Sequence, residues 1–237
     1  LRHQVSLACG ETVQALQSIV QDVCSHGVSV KSIHTDNAPF NALEFRDYVA
    51  HELHARQTFS GVGAHHQDGI AERAIGTITS WARTMMLHSI IHWPDVADIE
   101  LWPFAMDHAV FLWNSLPRKD SLVSPDELFS GVRFPDYSHL QRSHVWGCPV
   151  YVLDPALQDG KKIPKWKPRS RRGFYLGQSS KHSSSVALVL SLKTGHVSPQ
   201  WHCVFDDLFS TVVSPSGMFD HSFDADEWNK LISSGHE

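Results

Sequence analysis

The sequence predicts an α/β chain in two parts, alternating helices and strands first and a small all-β module after them. Three observations predict it. Up to about residue 115, stretches with helical spacing of apolar residues alternate with short β-branched runs. Beyond about residue 140, helical spacing gives way to short strand-like runs bounded by Gly, Pro and Ser. The 237 residues are 42% hydrophobic and 19% charged, a globular composition long enough for one large domain or two small ones.

In order, residues 2–8 (RHQVSLA) read as the end of a strand. The chain opens at Leu1 without a methionine and is taken as part of something longer. From Glu11 to His26, Val13, Leu16, Val20 and Val23 share one helical face, and Gly27 is a natural stop. Val28 to His34 is a short β-branched strand. Asn41, with Glu44 three residues on, has the form of a capping box, opening a helix with Phe45, Tyr48, Val49 and Leu53 inward. A strand over 55–59 leads into the loop SGVGAHHQDG. A long helix then runs from about Asp68 to His88, and a second, apolar one covers about 97–115. Pro117 and the polar run RKDSLVSP mark a boundary. Strands follow over 145–153, 173–178, 186–192 and 196–205, with Lys193-Thr194-Gly195 as a hairpin turn before the last. They read as a small β-barrel or β-sandwich. The tail after Asp207 is rich in Ser, Pro and Asp, with a short helix placed near Trp228.

No apolar run approaches the ~20 residues of a membrane span, and no signal peptide opens the chain. Cys9, Cys24, Cys148 and Cys203 form no CxxC pair, which argues against a zinc ribbon or disulfide scaffold and for a reducing compartment, cytosol or nucleus. The net charge of −5 hides a division. Residues 1–160 carry 10 Lys/Arg against 18 Asp/Glu, residues 161–205 carry 9 and no acid, and residues 206–237 carry 1 against 7. One strongly basic segment therefore sits in an acidic chain.

Two carboxylates stand out. Asp36 follows a strand, where a buried carboxylate needs a partner, a cation or a reaction. Glu72 lies one turn into the long helix, with 35 residues between them. That spacing alone is weak, since 17 Asp and 8 Glu in this length give roughly half of one such pair by chance. On the helix, Ala71, Ile75, Ile78, Ala82 and Met85 form a stripe expected to be buried. Glu72, Gly76, Thr79 and Arg83 form a second stripe, within about 40° of one another. It offers a carboxylate, a bare backbone position, a hydroxyl and a guanidinium, the last two suited to phosphate oxygens. A solvated helix edge with an acid favoured in its first turn is the alternative. Asp68 reads as an N-cap. Two carboxylates suit a hard divalent cation, Mg²⁺ or Mn²⁺, with positions left for phosphate and water.

The motifs I-H-T-D-N-A-P-F and H-H-Q-D-G-I-A-E-R-A-I resemble the integrase core of copia-type LTR retrotransposons, within the retroviral-type, RNase H-like superfamily. The family pattern is (T/S)-D-N-G-x-x-F at a strand end and Q-(Q/H)-N-G-x-A-E-R at a helix start, its Asp and Glu belonging to a D,D-35-E triad. L-W-P-F-A, N-S-L-P and S-P-D-E-L-F-S-G resemble the segments after that core. V-W-G-C-P-V-Y-V-L, R-R-G-F-Y-L-G and H-C-V-F-D-D resemble the SH3-like module beyond it. The resemblance implies an RNase H-like core over 1–125 lacking its first strands, a connector over 126–140, an SH3-like β-barrel over 141–212 and an acidic tail or linker over 213–237. It implies that Asp36 and Glu72 hold metal and act in catalysis, joining element DNA 3′-ends to host DNA. It also implies a homo-oligomer on DNA, and a nuclear location after a cytoplasmic stage.

The sequence departs from the family in three places. Ala38-Pro39 replaces the usual Gly, and Asp68 the usual Asn. The first aspartate of the triad is absent from residues 1–10 and is expected upstream, so this chain is expected to be a poor catalyst or none. His65-His66 is expected to position the loop or, at His66, to contact DNA rather than hold metal. KKIPKWKPRSRR places Lys161, Lys162, Lys165, Lys167, Arg169, Arg171 and Arg172 around Trp166. Its prolines exclude a helix, and its cations suit phosphates while the indole stacks. A solvated loop and a nuclear import signal are other uses of the same residues. An RNase H-like nuclease and a nucleic-acid-binding or assembly module without chemistry are the alternatives to an integrase.

Overall fold

The computed structural model describes residues 1–36, 40–61, 69–134 and 136–212. The chain forms two compact units, Leu1–Thr77 and Ile78 onward. Both are mixed: the first joins helices to a parallel strand pair, the second joins helices to a five-stranded antiparallel sheet.

In the first unit, residues 2–8 are not a strand. The Glu11 carboxylate takes the N–H groups of Val5 and Ser6, both at 3.0 Å, and the Ser6 hydroxyl at 2.9 Å. These bonds, led by the Ser6 N–H, hold the Glu11 carboxyl below its usual range. Helix α1 (Cys9–Ser25) buries Val13 and turns Leu16, Val20 and Val23 partly inward, as their spacing predicts. Strand β1 (Ser32–Thr35) is shorter than expected, beginning four residues late. Helix α2 (Leu43–Asp47) runs into a π-helical turn over Tyr48–Glu52. The Asn41/Glu44 capping box does not form, because Ala42 is the N-cap. Phe45 and Val49 are nonetheless buried with Val13, and Leu16, Ile33 and Tyr48 pack around them. Strand β2 (Arg56–Phe59) pairs in parallel with β1 from Ser32↔Arg56 to Thr35↔Phe59. A parallel pair needs a crossover, and α2 supplies it.

Helix α3 (Gly69–His92) is long, and the boundary between the units falls within it. In the second unit, α4 (Trp102–Ser115) presents Ala105 and Ala109, both fully buried. The polar run after it folds into α5 (Pro125–Ser130) and α6 (Ser138–Gln141). Ser124 caps α5 with Glu127 in a capping box, Pro125 stands at the first helical position, and Gly131 ends the helix at φ 70°.

The sheet runs β6-β5-β4-β3-β7, all antiparallel. Its strands are β3 (Pro149–Leu153), β4 (Ser170–Gln178), β5 (Ala187–Ser191), β6 (Val197–Gln200) and β7 (Cys203–Phe205). A short helix, α7 (Pro155–Gln158), follows β3. The strand expected over 196–205 is broken at Trp201-His202: β6 stays beside β5, and β7 crosses to the far edge beside β3. The expected turn at Lys193-Thr194-Gly195 joins β5 to β6, with Gly195 N–H donating to Ser191 O at 2.8 Å. The sheet shares one core with the helices, in which Val150, Val152, Phe174 and Val189 pack with Ala82, Met86, Ala105 and Ala109. The short helix expected near Trp228 lies outside the described residues.

Candidate functional site

Asp36 leaves the end of β1, and its neighbours are fixed on both sides. The Thr35 carbonyl accepts from Ser60 N–H at 3.0 Å. His34 Nδ1 lies 2.9 Å from Thr58 Oγ1, and its Nε2 lies 3.2 Å from Ser60 Oγ. Across the loop, Gln57 donates to the Phe40 carbonyl at 3.1 Å. Asp36 itself is exposed. The expectation of a desolvated carboxylate fails, because a sheet of two strands with alternating exposure does not shield its ends. Glu72 is also exposed, in the first turn of α3, where a negative charge meets the helix N-terminus favourably.

Neither carboxylate is taken up by a hydrogen bond or ion pair among the described residues. Among the described residues, no three of His, Cys, Asp and Glu converge to hold a metal ion. Ala38, Pro39, His65, His66 and Asp68 lie outside the described residues.

The two stripes of α3 fare differently. Glu72, Gly76, Thr79 and Arg83 are all exposed. The apolar stripe is not buried as expected: Ala71 and Ile75 face solvent, Ile78 and Met85 are half-buried, and only Ala82 is buried. Burial moves instead to Met86, Ser89 and the following Trp93. The rotation is set by what the later turns pack against, which helical periodicity does not contain.

A Cβ at Gly76 would meet nothing within 4 Å. Gly76→Ala is therefore expected to raise the thermal midpoint, since alanine in a helix interior is favoured by about 1 kcal/mol. If nucleic acid lies against this backbone, the same variant should weaken duplex binding several-fold, read by fluorescence anisotropy. A rise in both would show that nothing approaches there.

The basic segment forms a loop, with Arg171 and Arg172 at the start of β4. Lys161, Lys162, Lys165, Lys167, Arg169, Arg171 and Arg172 are exposed, and Trp166 is 89% exposed. The loop is closed at its base by Asp154, whose N–H donates to Arg169 O at 2.8 Å. Two cations meet acids: Lys161 lies 3.4 Å from Asp159, and Lys167 3.6 Å from Asp154. Exposed pairs of this kind are worth about 0–1 kcal/mol, so both lysines can exchange partners for phosphates. Lys165 Nζ stands 5.3 Å from the Trp166 ring centre, and Arg172 Cζ 5.4 Å from that of Trp93.

No protein-family profile matches the chain, and no curated protein matches it. Among solved structures, it is similar to a chain of the simian T-cell lymphotropic virus intasome in complex with the PP2A regulatory subunit B56 gamma. The identity is 18% and the TM-score 0.38, over 85% of this chain and 64% of that one.

Proposed function

We propose that the chain carries part of a copia-type integrase, with the core over 1–125, a connector over 126–140 and an SH3-like module over 141–212. The observation that carries this reading is the pair of exposed carboxylates in one compact unit, unengaged among the described residues, Asp36 at the end of β1 and Glu72 opening α3. The family's motifs occur around both, and the parallel order of β1 and β2 suits an RNase H-like core.

The donor set fits a hard cation, because carboxylate oxygens without other partners are what Mg²⁺ or Mn²⁺ takes. When bound, such an ion lowers the pKa of an attacking DNA 3′-hydroxyl and offsets charge on the phosphate oxygens. Asp36 and Glu72 would hold it. Thr79 and Arg83 contact phosphate oxygens beside Gly76, and the 161–172 segment neutralises phosphates along the DNA. The reaction forms a bond from the 3′-oxygen to a target phosphorus and breaks a target strand there. Assembly as a homo-oligomer on element ends and target DNA, and nuclear action after a cytoplasmic stage, belong to the same reading.

A Mn²⁺ titration followed by electron paramagnetic resonance tests it. One weak site is expected, with a Kd of about 0.1–1 mM, as for other carboxylate sites of modest charge. Asp36→Asn or Glu72→Gln should weaken it tenfold or more, by removing one of few charged ligands. Asp22→Asn, at a carboxylate already paired with Arg2, should not. Equal affinity in all variants would dispose of the reading.

A further inference from the structure

The second unit holds a cleft of ≈ 280 Å³ walled by aromatic rings. Tyr175 of β4, Phe205 of β7, His144 and Trp201 form the walls. Phe205 and His144 stack at 3.6 Å with 12° between their planes, and Tyr175 meets Phe205 edge-on at 5.2 Å. Those three rings support one another. Trp201 does not join them in the core: it sits in the break between β6 and β7, 66% exposed. Its ring meets that of His202 at 4.7 Å and 35°, and a large indole exposed beside a cleft still offers stacking surface.

The polar groups of the cleft are just as selective. Arg142 donates from Nη1 to Ser184 Oγ at 3.2 Å, and Gln178 donates to the His139 carbonyl at 3.4 Å. These bonds steady both side chains and leave guanidinium N–H donors and an amide carbonyl for a ligand. No carboxylate stands among the described residues that line the cleft. Asp207 is engaged by the wall itself, with His144 Nδ1 at 2.9 Å and Val145 N–H at 2.8 Å. A methylated ammonium is disfavoured beside a guanidinium. A flat ring with a polar edge and a nearby negative charge fits.

We propose that this cleft takes one unpaired nucleobase of a single-stranded nucleic acid. The ring stacks on Trp201, its edge meets Gln178, and its phosphate meets Arg142. The volume falls just under the roughly 300–1,000 Å³ of drug-sized sites, room for a single base and sugar. Bases stacked in a duplex cannot enter. The proposal needs neither Asp36 nor Glu72, so it stands apart from the metal reading.

The test is fluorescence anisotropy on the full chain with three labelled probes: a short oligothymidylate, the same strand made of abasic sites, and a blunt duplex. Wild type should prefer the oligothymidylate to the abasic strand. Trp201→Ala should weaken the oligothymidylate by roughly tenfold or more, and leave the other two probes unchanged. Trp201→Phe, which keeps a ring, should recover most of that loss. Arg142→Ala should lower the salt slope by about one, as for one lost phosphate contact. The proposal is overturned if wild type binds the abasic strand equally well, or if Trp201→Ala binds oligothymidylate normally. Trp201-dependent capture of a trimethyl-lysine peptide in place of the strand would overturn it too.

Discussion

Replacing Gly147 by alanine is expected to lower stability by about 2–5 kcal/mol. Two causes add. Gly147 has φ 83°, a left-handed conformation that disfavours any Cβ by roughly 1–2 kcal/mol. Its surroundings are closed as well: an added Cβ would come within 2.6 Å of Ser89 Oγ, 2.8 Å of Ser89 Cβ and 3.1 Å of Phe174 Cζ. Overpacking of that kind costs about 1–3 kcal/mol. Neither neighbour can yield easily, since Ser89 and Phe174 are both fully buried. The backbone is pinned too, with Gly147 N–H on Tyr175 O at 2.9 Å and Tyr175 N–H on Cys148 O at 3.1 Å. Urea unfolding followed by circular dichroism measures the loss. Ser89→Gly in the same background should recover part of it, and the double-mutant cycle isolates the contact from the backbone strain. No coupling between the two sites would mean that strain alone is responsible.

Gly147 lies within V-W-G-C-P-V-Y-V-L, and its role explains why the sheet follows α3 so closely. Ser89 is a small residue on α3, and its Oγ has no hydrogen-bond partner among the described residues. A serine tolerated there without a bond indicates that size, not polarity, is what the position demands. The same logic applies at α4, which packs near β4 and whose Ala105 and Ala109 are fully buried in the shared core.

Much of this was legible in the sequence, and the failures share a cause. Helices α1 to α4 and most of the strands follow from local periodicity, which the chain carries plainly. Strand 196–205 was legible as β but not as two strands, because the break at Trp201-His202 is made by pairing with β3, some fifty residues away. Residues 2–8 have strand-like residues but pair with no strand among the described residues, and Glu11 takes the N–H groups of Val5 and Ser6 instead. The capping box at Ser124 and Glu127 is written in the sequence as S-P-D-E, yet it is hidden inside a polar run that reads as a boundary. At the candidate site, Asp36 and Glu72 were found from their motifs. The exposure of Asp36 was not, since it depends on how many strands pair. The cleft at Trp201 had no signal at all: it draws on four separate segments, and no spacing along the chain connects them.

Glu127→Gln is expected to destabilise the second unit more than Ser124→Ala, and to flatten its unfolding in acid. Glu127 is only 4% exposed, and its carboxylate is fully used. Oε2 accepts from Ser124 N–H at 2.8 Å and from the Tyr137 hydroxyl at 2.5 Å, while Oε1 accepts from Phe134 N–H at 2.8 Å. One side chain therefore closes the chain from 124 to 137, including Tyr137 at φ 48°, a conformation rare for a residue with a side chain. Glutamine is isosteric, but its amide N–H group must face one of those donors. At least one buried N–H or O–H then loses its acceptor. Ser124→Ala removes only the cap, worth about 1 kcal/mol. The three bonds, led by that from Ser124 N–H and then Tyr137, hold the Glu127 carboxyl down to about 2, against an ordinary value of 4.5. A depressed carboxyl stabilises the fold fully above its unfolded value and loses that contribution as pH falls through the folded one. The urea midpoint of wild type should thus drop between pH 4.5 and about 2, and that of Glu127→Gln should start lower and drop less. Tyr137→Phe should keep most of the acid dependence, because the Ser124 N–H remains. If Glu127→Gln and wild type lose stability in parallel over that range, the carboxylate's bonds do not hold this segment.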